Sequence, residues 1–347
     1  FYDALSPEAQ SCLQLELQQA FSGAPRELQI SLHQGIRSVA RLVPGPSFDG
    51  SPAASNLALD DGAVLISGGL GALGLATAQD LIDRDARSIL LLARRPATAA
   101  VQARLEAWRR SGVAVNLIQG DITDAQVIAS IKQALTATGQ PLIGIIHAAG
   151  VLNDSAIHGL SDEQWDAVIA PKLIGAWHLH ELSLEHPVRF FVMFSSAAAL
   201  LGSPGQSHYA AANAALDALA TRRVQQGLPA LSIHWGPWAD AGMAARPTSQ
   251  THLQAAGLEP IAPSKGLSLL ASLLHRIGTE PSSLPPVVSV VQADWDRLLT
   301  ALQGRPQALL LQAFSSTGPG ASGHHVSASP ATALSAPAQD RLAGLSS

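Results

Sequence analysis

The sequence predicts an α/β protein built on a doubly wound parallel sheet. Three observations carry that expectation. Seven short apolar runs recur between about Asp61 and Leu299, helix-length amphipathic stretches separate most of them, and the first run opens into a glycine-rich turn. Strands that read as continuous apolar runs are those buried on both faces, and the helices between them supply the crossovers that parallel pairing needs.

The strand candidates are Ala63–Ser67, Ser88–Ala93, Val115–Gln119, Leu142–His147, Arg189–Phe194, Ala230–His234 and Val287–Val291. They place the principal domain at 61–314, with Leu309–Phe314 as its last short apolar piece. Ahead of it, residues 1–43 hold a polar helical stretch (Pro7 to Ala20). Two alternating segments, Glu27–Leu32 and Ile36–Leu42, flank the turn-like Gln34-Gly35 and read as a hairpin. The Pro/Gly/Ser-rich run within 44–60 reads as a linker, and the Ser/Ala/Gly/Pro-rich residues 315–347 as a flexible interdomain connector. The chain begins with Phe1 and has the look of a piece of something longer.

Composition excludes several classes. Apolar residues make up 47% and charged residues 14%, enough to bury a large sheet and too apolar for general disorder. A net charge of −5 lacks the basic footprint of a nucleic-acid binder. The single cysteine, Cys12, leaves no internal disulfide framework or Cys-rich metal site, which fits a reducing cytoplasm. Signal peptides and uninterrupted 18-residue apolar runs are missing, so no membrane partner is expected.

Strand Ala63–Ser67 runs into Gly68-Gly69-Leu70-Gly71-Ala72-Leu73-Gly74 and then a helix. Glycines at 68, 71 and 74 let the backbone turn tightly and approach a pyrophosphate, while helix N–H groups face the anion. Gly69 and Leu70 belong to the same cradle. At the end of the next strand, where an NAD site usually carries an acidic residue, stand Arg94 and Arg95. A guanidinium pairs with a 2′-phosphate, so NADPH is the expected cofactor. Asp121 and Ile122 follow the third strand. Asp121 can accept from an adenine amino group or cap the helix starting near Asp124. His147-Ala148-Ala149-Gly150 ends the fourth strand, where Ala148, Ala149 and Gly150 leave space beside a nicotinamide ribose. His147 itself reads as a buried histidine bonded to backbone.

Further on come Ser195-Ser196, then Gly205-Gln206-Ser207-His208-Tyr209-Ala210-Ala211-Ala212-Asn213, with Pro171-Lys172-Leu173-Ile174-Gly175 upstream. This segment resembles the active site of polyketide synthase ketoreductases, members of the short-chain dehydrogenase/reductase superfamily. In the wider superfamily the lysine stands four residues after the tyrosine, where this chain has Asn213; Lys172 arrives from the preceding helix, as in synthase-embedded members. The resemblance implies a Rossmann-like fold of the short-chain dehydrogenase/reductase type over roughly 61–300. It also implies that residues 25–43 are a remnant of a preceding structural subdomain.

Hydride addition to a ketone leaves negative charge on oxygen that must be stabilised and protonated. A phenol suits the second task, and a nearby ammonium eases its ionisation. By resemblance Tyr209 is the acid, Lys172 its tuner, and Ser196 a donor to the substrate carbonyl. Asn213, one helical turn from Tyr209, positions Lys172 or a water. Singly, each has an ordinary reading: a surface charge, a cap, a packed ring, a helix polar residue. Pro237, in Gly236-Pro237-Trp238, lies in the family's loop over the nicotinamide; Trp238 and Met243 read equally as substrate-facing or packing residues.

The same resemblance bears on product configuration. B-type members carry Leu-Asp-Asp after His-Ala-Ala-Gly; here stand Leu152-Asn153-Asp154, so Asn153 departs from the pattern. The tryptophan of A-type members, eight residues before the tyrosine, is Leu201, and Ala211 replaces the proline of epimerising B-type members. Gln206, in the tyrosine segment, joins these substrate-side candidates. The implied reaction is reduction of a β-keto group on an acyl chain tethered to an acyl carrier protein, within a polyketide synthase, to a D-configured hydroxyl. A free-standing reductase of a small ketone and a redox-silent scaffold or epimerase are the competing readings. No metal is expected.

Overall fold

Two short strands, β1 (Ile30–His33) and β2 (Ile36–Val39), pair antiparallel with Ile30 opposite Val39 and His33 opposite Ile36, the hairpin that the alternation predicts. The structure is a computed structural model and describes residues 27, 29–33, 36–45, 58–239, 257–279 and 283–315. The described residues fall into two compact units, one within 48–293 and the other within 1–47 and 294–347.

In the larger unit the core begins with β3 (Ala63–Ser67), five residues all buried. Helix α1 (Ala72–Asp83) leads to β4 (Ser88–Ala93), α2 (Ala99–Arg110) to β5 (Ala114–Gln119), and α3 (Ala125–Thr138) to β6 (Leu142–His147). Then come α4 (Asp162–Ile169), a wide π-helical turn at Ala170–Ile174, α5 (Gly175–Glu185) and β7 (Phe190–Ser196). The short α6 (Ala198–Leu201), the long α7 (Ser207–Gln225), β8 (Leu231–Trp235), β9 (Leu258–Glu259), α8 (Pro263–Thr279), β10 (Val287–Val290) and β11 (Gln292–Ala293) complete the unit.

Seven strands form one sheet in the order β10-β8-β7-β6-β3-β4-β5, every pair parallel. The chain winds outward from β3 to β5, returns to β6 beside β3, and winds outward the other way. At the C-terminal ends of β3 and β6 the loops diverge and leave the crevice that such sheets use for ligands. Each predicted strand appears within two residues. β7 runs on to Ser196 because its last two residues still pair with His234 and Trp235. The two-residue pair β9–β11 was not anticipated; it is too short to show a period.

Apolar residues alternate between the sheet's faces. Val64, Ile66, Ile89, Leu91, Val192 and Phe194 pack with α1, α2 and α8 on one face. Leu65, Leu90, Leu92, Phe191 and Met193 pack with α3, α5 and α7 on the other. That second face carries the polar chemistry, because α7 and the π-turn lie on it.

In the smaller unit, Arg41 forms a two-pronged ion pair with Glu27, 2.6 Å to each oxygen. Helices α9 (Trp295–Ala301) and α10 (Pro306–Leu310) follow, with Trp295 and Phe314 stacked at 4.0 Å. Within this unit the Leu42 N–H donates to Leu310 O at 2.9 Å, joining the residues after the hairpin to α10.

Candidate active site

The turn after β3 is shaped by what its glycines lack. Gly68 has φ +68°, and a Cβ there would stand 2.8 Å from the Ala148 carbonyl and the Ala149 nitrogen. A Cβ on Gly74 would stand 2.4 Å from Gly68 O, so the loop and the start of α1 touch backbone to backbone. Gly71 is the N-cap of α1, no side chain caps the helix, and its first turn holds no acidic residue. Bare helix N–H groups beside a Cβ-free cradle suit a pyrophosphate, so the residues present fit a dinucleotide. Gly69, whose N–H donates to Leu92 O at 3.0 Å, and the half-exposed Leu70 complete the turn.

Arg94 and Arg95 stand exposed at the end of β4. Arg94 Nη1 lies 3.8 Å from Asp121 Oδ2, while Asp121 Oδ1 accepts from the Thr123 N–H (3.0 Å) and hydroxyl (2.8 Å). Asp124, not Asp121, caps α3, through Gln126 N at 2.8 Å. Of the two readings of Asp121, the helix cap is therefore replaced by a tight turn. Ile122 is buried against Gly175, where a Cβ would come within 2.7 Å of it.

His147 is fully buried between Ser67 Oγ (2.6 Å from Nδ1) and Lys172 O (2.9 Å from Nε2). A carbonyl only accepts, so Nε2 carries the hydrogen and Nδ1 accepts from Ser67. Burial pushes this imidazole down to about 3, assisted by the Lys172 charge. It is a neutral structural histidine that holds the Lys172 backbone.

Lys172 sits in the π-turn, next to Pro171, which has no N–H to donate. Backbone N–H groups at the end of the turn reach back to Ala170 O and Lys172 O. Such one-residue expansions aim side chains away from the regular helical stripe. The lysine is buried, and its Nζ donates to Phe194 O at 2.8 Å and lies 5.7 Å from the centre of the Tyr209 ring. Burial lowers its pKa to about 8, with the Asp217 carboxylate opposing.

Tyr209 and Asn213 lie one turn apart on α7 and are both buried. Burial raises the Tyr209 pKa; hydrogen bonds with Ser196 and Asn213 oppose it, and the Asp154 charge adds to the rise. Ser196 ends β7 and its Oγ also accepts from Ala198 N at 3.2 Å. Asn213 Nδ2 donates to Tyr209 O at 2.7 Å, while its Oδ1 is buried without a partner. An unpaired buried acceptor beside Tyr209 is a place where a further donor can bind. The structure thus brings together all four residues of the proposed chemistry, on β7, α7 and the π-turn.

Leu152 packs with Val168, Tyr209 and Ala212. Asp154 Oδ1 accepts from Gln206 Nε2 at 3.1 Å, and Leu201 closes α6 nearby in sequence. Pro237 O accepts from Ile261 N at 2.7 Å. Trp238 resolves to packing: its ring is buried 4.8 Å from the Trp235 ring and against Gly266, where a Cβ would come within 2.4 Å of it. Met243 lies outside the described residues.

Sequence reasoning missed a polar chain on the same face. Asp217, one turn beyond Asn213, accepts from Ser232 Oγ (2.6 Å) and His234 Nε2 (2.7 Å), and His234 Nδ1 meets Ser289 Oγ at 3.1 Å. The i, i+4, i+8 spacing of Tyr209, Asn213 and Asp217 was the available signal. Among the described residues no group of side chains could hold a metal, and no helix is long and apolar enough to cross a membrane.

Comparison with known proteins agrees with this geometry. The family model of the KR domain matches residues 62–240, more than half of the chain. Chalcone synthase cfoA of Aspergillus candidus is 39% identical over 262 residues, 74% of this chain and 10% of that protein. Polyketide synthase GfsA of Streptomyces halstedii is 37% identical over 287 residues, 82% of this chain and 4% of that protein. The chain thus spans a tenth or less of these relatives. Among solved structures, an A-type ketoreductase from a modular polyketide synthase superposes with a TM-score of 0.77 at 31% identity, covering 92% of this chain and 63% of that one. The ketoreductase PlmKR1, from the first module of phoslactomycin biosynthesis in Streptomyces sp. HK803, gives 0.74 at 30%, covering 91% and 70%. A short chain dehydrogenase of Burkholderia cenocepacia J2315, solved in complex with NADP, shares the fold at 20% identity and a TM-score of 0.57, covering 67% and 97%. With its parallel sheet, glycine cradle and tyrosine helix, the chain belongs to the KR domain family, the ketoreductases of polyketide synthases, and is an oxidoreductase of the short-chain dehydrogenase/reductase fold.

Proposed function

We propose that this chain reduces the β-keto group of an acyl chain carried on an acyl carrier protein, using NADPH, and gives a D-configured hydroxyl without altering the α-carbon. The observation that supports it most is the buried cluster of Lys172, Tyr209 and Asn213, with the Lys172 Nζ on Phe194 O of the strand that ends in Ser196 and 5.7 Å from the Tyr209 ring centre. NADPH, when bound, supplies the hydride. The glycine loop from Gly68 to Gly74 would hold its pyrophosphate, Arg94 and Arg95 its 2′-phosphate, Asp121 and Ile122 its adenine side, and Ala148, Ala149, Gly150 and Pro237 its nicotinamide side.

The chain's own residues do the rest. In this reading the Ser196 and Tyr209 hydroxyls donate to the ketone oxygen. Burial keeps the Tyr209 phenol protonated, which is the form an acid needs before the reaction. As Tyr209 Oη gives its proton to the developing alkoxide, the Lys172 charge favours the phenolate left behind. The open Asn213 Oδ1 is an acceptor for a water or for Lys172 during reprotonation. In this reading Asp154, Leu152, Leu201 and Gln206 set the facial selectivity, with Gln206 Nε2 donating to Asp154 Oδ1. Asn153, where the family pattern has aspartate, keeps an acceptor: its Oδ1 takes a bond from Gln164 at 3.4 Å.

The test is NADPH consumption with a β-ketoacyl thioester, followed by chiral chromatography of the alcohol. A D-configured product is expected, and an L-configured one would overturn the B-type assignment. Tyr209→Phe should abolish turnover while NADPH binding persists; retained turnover would remove Tyr209 from its role. Wild-type protein that binds NADPH and never turns over would favour the redox-silent reading. The neighbouring synthase domains and a cytoplasmic setting follow as part of the same proposal.

A further inference from the structure

Two loops that meet beside Tyr209 are fastened by three hydrogen bonds. Ser155 N donates to Gly205 O at 2.8 Å, Gln206 Nε2 to Asp154 Oδ1 at 3.1 Å, and His208 Nε2 to Asn153 O at 2.8 Å. The first loop follows β6 and carries Leu152 and Asp154. The second leads into α7, whose third residue is Tyr209. Gln206 is the N-cap of α7, yet its side chain makes no cap bond; it reaches across to Asp154 instead. Gly205 has φ +75°, a conformation that suits glycine and turns its carbonyl to Ser155.

His208 is the least expected member. It is wholly buried, its Nε2 must carry the hydrogen given to the Asn153 carbonyl, and its Nδ1 has no partner. A buried unpaired acceptor costs about 1–3 kcal/mol. An apolar side chain would avoid that cost, so packing alone does not account for an imidazole here. What His208 adds is its grip on the carbonyl between Leu152 and Asp154. Leu152 in turn packs with Tyr209, and the Asn153 side chain is tied separately to Gln164 on α4.

We propose that His208 is a positioning residue for facial selectivity: by holding the Asn153 carbonyl to the first turn of α7, it sets where Leu152 and Asp154 stand relative to the Tyr209 phenol. The occupant of that space is the β-ketoacyl chain, so the inference rests on the ketoreductase reading above. Selectivity is sensitive to small shifts, since a tenfold change in product ratio corresponds to only about 1.4 kcal/mol between the two transition states.

Two variants separate the bond from the bulk. His208→Phe keeps a ring and loses the donor; His208→Gln restores a donor at similar reach. The measurements are the ratio of the two alcohols from a β-ketoacyl thioester, KM for NADPH, and amide exchange of residues 153–155 in cofactor-free protein. His208→Phe should raise the share of the minor alcohol about tenfold and speed exchange at the Ser155 amide about tenfold, with KM for NADPH within about twofold. His208→Gln should return both toward wild type. An unchanged alcohol ratio in folded His208→Phe would overturn the proposal, whether or not exchange rises. If that variant does not fold, Gln206→Met, which removes the donor to Asp154 at similar length, must shift ratio and exchange in the same directions or the proposal fails. A wild-type protein forming no alcohol would overturn the ketoreductase reading itself, while amide exchange would still report on the clamp.

Discussion

A Cβ placed on Gly150 would stand 2.9 Å from Cε and 3.4 Å from Nζ of Lys172. The lysine stem therefore passes over the residue just beyond β6 through space that exists only because residue 150 has no side chain. Its Nζ ends on Phe194 O, at the strand that also presents Ser196.

Gly150→Ala is expected to push the ammonium off that carbonyl. Displacements near 1 Å in an active site cost on the order of 100-fold, so kcat/KM should fall by about that factor. The melting temperature should change little, because the flexible end of Lys172 yields before backbone does. A variant with wild-type kcat/KM would show that Lys172 placement is unimportant.

The pH profile should carry the mark of Lys172. Its pKa is lowered by burial to about 8, whereas burial raises Tyr209 above its ordinary value. As pH rises through about 8 the lysine loses its charge while the phenol keeps its proton. Hence kcat/KM for NADPH, which reports the free enzyme, should decline above about pH 8. Stability moves the other way: the unfolded lysine still binds a proton between about 8 and 10.5, so this group makes the folded state more stable as pH rises through that window. Falling activity without a matching fall in melting temperature is the expected pair of results. Lys172→Arg stays charged throughout and should erase the limb at a reduced plateau; a limb that persists assigns it elsewhere.

Arg94 is exposed and only 3.8 Å from Asp121, so its guanidinium is free to turn toward a phosphate. Charge-assisted hydrogen bonds of this kind contribute about 1.5–3 kcal/mol, and Arg94→Ala should raise KM for NADPH roughly 10- to 100-fold while leaving that for NADH within about twofold. Equal losses with both cofactors would mean that Arg94 does not read the 2′-phosphate.

Gly266 and Trp238 offer a stability test away from the chemistry. A Cβ at 266 would lie 2.4 to 2.9 Å from three atoms of the indole, which is itself buried against Trp235. Overpacking of this type costs about 1–3 kcal/mol. Gly266→Ala should lower the urea midpoint accordingly with an unchanged m-value, and an unchanged midpoint would contradict the packing described.

Much of this architecture was legible in the residues because burial on both faces leaves continuous apolar runs, as at Ala63–Ser67 and Ser88–Ala93. The glycines at 68, 71 and 74 were readable for a related reason: close backbone approach leaves no alternative residue. Pairings between distant loops left no such trace. The bonds Gln206–Asp154 and His208–Asn153 join residues 52 and 55 positions apart, and no local period announces them. Trp238 stayed ambiguous since an indole after a strand suits either a core or a pocket, and only the space at Gly266 decides. Asp217 was passed over because its partners Ser232 and His234 lie 15 and 17 positions on, in a strand read as a buried apolar run, and no local period joins them to α7.

The wide turn at Ala170–Ile174 has a consequence for how this chain can be aligned and edited. One additional residue in a turn advances the sequence by about 100° of rotation without lengthening the rod proportionately. Val168 on α4 is buried with Tyr209 and Ala212, whereas Ala176, Leu179 and Leu182 on α5 are buried against the sheet, and the wide turn between them carries the buried Lys172. Removing a single residue there would restore an unbroken helical repeat and at the same time rotate the ammonium away from Phe194 O. Regularity of the helix and placement of the charge are alternatives at this point, and the chain has taken the second.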